Sequence, residues 1–169
     1  MMDKTMTASS ARPERGGALT ALKGRYLETV QLMDRLHRQF LDLVQAALDE
    51  TKIDDVNAVQ ALILHAIGED EVLVGELIQR GYYLGTNVSY NVRKLVEGEY
   101  LTQARSRHDR RALKLTLTAK GRALRTRLDL VFDTHIRELE GVAMIDDLEQ
   151  ASTVLRGISS FWSRLRAAA

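Results

Sequence analysis

The 169-residue sequence contains no cysteine. That absence removes disulfides, thiolate zinc sites and thiol-based peroxide sensing together. Proline occurs once, at Pro13, and the eleven glycines are scattered. So little punctuation suits long helices broken in a few places. No run reaches the roughly 18 apolar residues of a membrane span, and residues 1–17 lack the apolar centre of a secretory signal. They read as a flexible tail on a cytoplasmic chain with no membrane partner. Histidine is also scarce: His37, His65, His108 and His135 are all there is. None stands in a motif with a serine nucleophile or paired acids. A Gly-rich phosphate loop and an HExxH pair are missing too, so a catalytic site has no visible parts and the chain reads as a non-enzyme.

What is present has the balance of a globular protein, with 45% hydrophobic and 28% charged residues. The net charge of +1 is unevenly spread. Residues 79–127 hold twelve Lys/Arg against three Asp/Glu, a local net of +9, which leaves −8 on the remainder. Such asymmetry fits one surface that faces a polyanion. A solvated basic face without a partner would look the same on charge alone.

The hydrophobic spacing reads as follows. Residues 18–48 form one long helix, with Leu19, Leu22, Tyr26, Met33, Leu36, Phe40, Leu43 and Ala47 on one face. A second helix starts with Asp54 as its cap and ends at Gly68. A short extended piece at 71–74 precedes a short helix at 76–80, stopped by Gly81. A further helix spans 85–97. Two short helices about a glycine-containing turn are the helix-turn-helix pattern. Residues 100–104 are strand-like and 105–111 a charged turn. Across 112–117, Leu113, Leu115 and Leu117 alternate with Lys114 and Thr116, the period of a half-buried strand. A β-hairpin with a basic tip therefore follows the helix directly, as a wing. Thr118 caps a long helix to about 141. Asp146 and Glu149 form a capping-box start for the last helix, whose Leu148, Ala151, Leu155, Ile158, Trp162 and Leu165 alternate in threes and fours. So narrow a seam is hard to bury on a small lobe. The fold class is mainly α with a small β-hairpin wing (α+β): a winged helix-turn-helix lobe at 54–117, with dimerisation helices at 18–48 and 118–166 inside one domain of residues 18–166.

On the helix at 85–97, Val88, Val92 and Leu95 share the inward face. The opposite face carries Thr86, Tyr90 and Arg93, flanked by Asn87, Ser89 and Lys94. Asn and Arg can pair with adenine or guanine edges, Thr can touch a thymine methyl, and Ser, Tyr and Lys can hold phosphates. An ordinary exposed helix carries similar residues, but the adjoining wing tip adds Arg105, Arg107, His108, Arg110 and Arg111. Arginine suits the narrow, electronegative minor groove of A·T-rich DNA. Twofold pairing through the long helices, with Leu148, Leu155, Ile158 and Trp162 as the seam, would set two such helices roughly 34 Å apart on a near-palindromic site.

The order of elements resembles the MarR family of bacterial regulators. The likeness is carried by Leu77, Ile78, Leu84, Gly85 and Asn87-Val88-Ser89 in the helix-turn-helix, and by Lys94-Leu95-Val96-Glu97-Gly98-Glu99-Tyr100-Leu101 at its exit. Asp109-Arg110-Arg111 in the wing and Leu117-Thr118-Ala119-Lys120-Gly121 at the turn beyond it complete the match. The segment Arg80-Gly81-Tyr82-Tyr83-Leu84-Gly85 is more aromatic than usual and resembles an alphaproteobacterial subgroup, some of whose members control cell-wall or stress genes. The lack of cysteine excludes the thiol-oxidation branch.

The resemblance implies a sequence-specific double-stranded DNA-binding regulator, a homodimer acting as a ligand-responsive repressor or dual regulator. It also implies that Asp109 braces Arg111, leaving Arg107 and Arg110 for the groove. Family members often hold small aromatic or phenolic effectors in a cleft between the dimer helices and the DNA-binding lobe. Here Met33, Leu36, Phe40, His65 and Phe132 would line it, although simple core packing explains the same spacing. No metal is expected: His65 and Glu69 share a helix face and could recruit His37 or His135, but a histidine that caps or packs is the simpler reading. The competing function is a protein-interaction scaffold or co-regulator that uses the fold without touching DNA. RNA fits less well, because its deep, narrow major groove does not admit a helix.

Overall fold

Pro13 opens the first helix, α1 (Pro13–Glu50). Proline is favoured at a first helical position, where its missing N–H has no partner to lose. The helix thus begins ahead of the expected residue 18. The computed structural model describes residues 13–68, 71–79, 85–105, 113–139, 141–142 and 144–168. They divide into two compact units, with the boundary between Val59 and Gln60.

In the first unit α1 ends in a tight reversal. Lys52 takes a left-handed backbone, φ 56°, and the Ile53 N–H donates to the Leu48 carbonyl at 3.0 Å. A left-handed residue with a bond reaching back over the last turn satisfies carbonyls that the helix end leaves open. Val44 and Leu48 are buried, whereas Leu19, Leu22, Leu36 and Leu43 are exposed. The second helix, α2 (Ala58–Ile67), starts later than residue 54. Asp54 is therefore too far upstream to cap it; the Ala58 N–H instead donates to Gln45 Oε1 at 3.0 Å. Val56, in the intervening loop, is still buried.

In the second unit α2 stops before Gly68, whose φ of 73° is the left-handed conformation that glycine adopts without cost. There follow β1 (Val72–Leu73), α3 (Val74–Gln79), α4 (Gly85–Glu97), β2 (Leu101–Arg105), β3 (Leu113–Leu117), α5 (Ala119–Leu139) and α6 (Ile145–Ala167). The expected hairpin is there and is one strand larger. β3 pairs antiparallel with β2, Gln103 opposite Leu115, and on its other side with β1, Val72 opposite Leu115. Leu115 and Leu117 point into a core shared with Val72, Leu77, Val88, Val92, Leu95 and Leu101, all buried.

α4 ends much as α1 does. Glu99 adopts a left-handed φ of 61° and the Tyr100 N–H donates to the Leu95 carbonyl at 2.8 Å. Thr118 then ties the sheet to α5. Its Oγ1 accepts the Gly121 N–H at 3.0 Å, as an N-cap should, and donates to the Glu99 carbonyl at 2.7 Å. Lys120 Nζ donates to the Gly98 carbonyl at 3.0 Å and lies 4.1 Å from the centroid of the Tyr100 ring. Leu124 and Leu128 are the buried positions of α5, while Ile136 is exposed.

The start of α6 corrects the expected capping box. The N-cap is Met144, and Asp147, three residues on, accepts the Met144 N–H at 3.0 Å. Asp146 and Glu149 sit inside the helix. None of the side chains of α6 is buried. Leu148, Leu155 and Leu165 are exposed; Ile158 and Trp162 are half-buried.

Candidate nucleic-acid interface

α4 is strongly two-sided. Val88, Val92 and Leu95 are buried, as their spacing requires. Asn91 is also 8% exposed only, and its Nδ2 donates to the Asn87 carbonyl at 2.8 Å. An amide one turn from its backbone partner is satisfied locally, so it tolerates the edge of the core. Asn87, Ser89, Tyr90, Arg93 and Lys94 are exposed together on the outer face. The backbone of Thr86 lies in α4, and its side chain lies outside the described residues.

The charged part of this face is prearranged. Arg93 sits 5.9 Å from the Tyr90 ring centroid. Glu97, which sequence reasoning overlooked, spans both cations: Oε1 lies 3.4 Å from Arg93 Nε and Oε2 2.8 Å from Lys94 Nζ. The spacings of three and four were visible in the sequence and are those at which helix side chains meet. The hydrogen bond from Lys94 holds the Glu97 carboxyl below the usual carboxylate range, and the same bond pushes the Lys94 ammonium up. A lowered acid and a raised base leave the pair charged throughout the neutral range. It opens only where acid protonates Glu97 or strong base discharges Lys94.

Beside α4, β2 ends at exposed Arg105, opposite Leu113. Arg107, His108, Asp109, Arg110 and Arg111, and with them the brace from Asp109 to Arg111, lie outside the described residues. On β3, Lys114 pairs with Glu71, so one basic residue of the local excess is already engaged within the sheet.

The residues expected to line an effector cleft are split between the units. Met33, Leu36 and Phe40 lie on α1 in the first. There Leu36, Gln39, Phe40, Asp42 and Leu43 border an open apolar groove along the helix. In the second unit His65 meets Phe132 edge to face, with centroids 5.1 Å apart. His65 Nε2 is 2.8 Å from Asp129 Oδ1, a pairing across 64 positions that no local spacing could have signalled. His135 lies 6.5 Å from Phe132. Glu69 lies outside the described residues, among which no group of three or more His, Cys, Asp or Glu side chains is arranged to hold a metal ion. Nor is any helix among them long and apolar enough to cross a membrane.

Comparison with known proteins gives the same frame. The sequence model of the MarR family matches residues 54–112, from the approach to α2 to beyond the end of β2. The exopolysaccharide II synthesis transcriptional activator ExpG of Rhizobium meliloti is 40% identical over 99 residues, 59% of this chain and 51% of ExpG. The chain thus spans about half the length of that curated relative. Among solved structures, FabT of Streptococcus pneumoniae, crystallised in complex with DNA, superposes with a TM-score of 0.64 at 17% identity, covering 83% of this chain and 99% of FabT. BpsR of Bordetella bronchiseptica, whose structure concerns regulation of DNA binding by 6-hydroxynicotinic acid, gives 0.62 at 18%, covering 78% and 98%. At such identities the two structures speak for the fold alone. Across residues 54–112, then, the chain is similar to the MarR family, and it shares the winged helix-turn-helix fold of FabT and BpsR.

Proposed function

We propose that this chain is a non-enzymatic regulator of transcription that binds double-stranded DNA sequence-specifically, as a homodimer on a near-palindromic operator. The observation that carries the reading is the outer face of α4, where Asn87, Tyr90, Arg93 and Lys94 are exposed together, in a sequence that goes on to the arginine-rich residues 105–111. A helix of this kind fits the major groove, and an arginine-rich segment fits the minor groove or the phosphates. FabT's structure with DNA supports the use of this fold for that purpose. In this reading residues 54–117 are the DNA-binding lobe and 105–111 its wing.

Dimerisation is supported by apolar surface that each unit leaves open. α1 exposes Leu19, Leu22, Leu36 and Leu43; α6 exposes Leu148, Leu155 and Leu165. A second copy of the chain would cover them, with residues 18–48 and 118–166 as the dimerisation helices. The regulation proposed is ligand-responsive, as repressor or dual regulator, with a small aromatic or phenolic effector. BpsR's response to 6-hydroxynicotinic acid and the His65–Phe132 contact support this class of ligand. ExpG's description as an activator keeps activation within the proposal.

The test is a titration against the DNA upstream of the chain's own gene, with and without candidate phenols. Saturable binding that a phenol weakens is expected. Duplex binding that ignores sequence would contradict the operator, and wing arginines replaceable without effect would favour a scaffold.

A further inference from the structure

Glu97 is the only acid on α4, and it stands on the face offered to DNA. The position does little for stability. It closes the helix, where the peptide dipoles disfavour negative charge. It follows its cations in sequence, which is the weaker order for a helix ion pair. All three side chains are largely exposed, where such pairs contribute little. It also opposes any phosphate that approaches. What the carboxylate does achieve is to occupy both cations of the helix at once, the lysine at 2.8 Å and the arginine more loosely at 3.4 Å.

We infer that Glu97 is a specificity-determining residue that holds Arg93 and Lys94 back from phosphates and yields Arg93 only to a matching base edge. The inference rests on the DNA-binding reading above. On an arbitrary duplex the two cations have only phosphates to gain, and each contact must first displace the carboxylate. On a matching site, Arg93 exchanges the longer of the two Glu97 contacts for a paired contact to guanine. The shorter bond from Glu97 to Lys94 stays in place, so the acid remains neutralised. The carboxylate therefore weakens unspecific binding more than specific binding.

The experiment compares the full chain with its Glu97→Gln variant, which keeps the shape and removes the charge. Both are titrated by fluorescence anisotropy over a salt series, against a mixed-sequence duplex and against the best duplex the native chain selects from a random pool. The variant is expected to bind the mixed duplex about tenfold more tightly, with a log–log salt slope steeper by about one per chain, as each further phosphate contact requires. Its affinity for the selected duplex should change by less, so discrimination falls, while its thermal unfolding stays where it was. An unchanged affinity and slope on the mixed duplex would overturn the inference and leave DNA binding intact. So would a loss confined to one C·G pair of the selected duplex, which would make Glu97 a direct reader of cytosine. A native chain that binds neither duplex would overturn the DNA-binding reading and this inference with it.

Discussion

Gly121 approaches the backbone of Tyr100 so closely that a Cβ at position 121 would stand 2.2 Å from the Tyr100 carbonyl oxygen. The same carbonyl accepts the Thr118 N–H at 3.1 Å. Gly121 is buried in the first turn of α5, and Tyr100 is the buried residue between α4 and β2. The end of the proposed recognition helix, the base of the wing and the start of α5 therefore meet at one point. Gly121→Ala forces backbone to move and should cost about 1–3 kcal/mol. Urea unfolding would measure it, and a change under about 0.5 kcal/mol would mean that the junction yields easily.

Thr118 serves the same junction through its hydroxyl, as acceptor for Gly121 and donor to Glu99. Thr118→Ala should lose about 1 kcal/mol, the usual worth of an N-cap, whereas Thr118→Ser should retain most of it. Equal destabilisation by both variants would point to the methyl group instead of the bond.

Much of this architecture was legible in the sequence, and the reasons are local. Val88, Val92 and Leu95 recur at helical spacing, and the expected bounds of α4 coincide with the observed ones. Alternation at 113–117 announced β3, and the threonine before α5 announced its cap. The misses have two causes. The short extended piece expected at 71–74 is β1, but its pairing with β3 joins positions over forty apart, which no local spacing shows. His65 with Asp129 is likewise a product of tertiary packing. Caps were misjudged for another reason. Asp54 and Asp146 were natural candidates by residue type, yet the Ala58 N–H found Gln45, and Asp147 reached back to Met144. Several acids near a helix start can each serve, and only the backbone path decides which does. Glu97 was within reach of local reasoning, at three and four positions from its partners.

The open faces of α1 and α6 lead to a statement about assembly. The native chain should run as a dimer of about twice its 19.0 kDa in light scattering. Leu155→Glu with Ile158→Glu places two charges in the seam of α6 and should give a 19.0 kDa particle that no longer binds DNA. A native monomer throughout the micromolar range would contradict the proposed dimer.

The two parts of the proposed DNA contact should separate by mutation. Arg93→Ala should cost about 1–3 kcal/mol per half-site and relax discrimination at particular base pairs, as lost base contacts do. Arg110→Ala should weaken all operators evenly and lessen any preference for A·T-rich flanks. Asp109→Ala should weaken binding modestly, by about 1 kcal/mol or less, if its carboxylate braces Arg111. Simple charge arithmetic predicts tighter binding instead, and that result would refute the brace.

The central claim, that a dimer of this chain reads duplex DNA through α4 and the basic residues 105–111, meets its most direct test in one salt-resolved titration. The native chain is titrated against the duplex upstream of its own gene and against the same bases shuffled, with stoichiometry read at saturation. The account predicts two chains per duplex and a clear preference for the native order of bases. It also predicts a log–log salt slope of about −5 to −9, as for three to five phosphates neutralised by each half. A flat salt dependence with no preference between the two duplexes would contradict it.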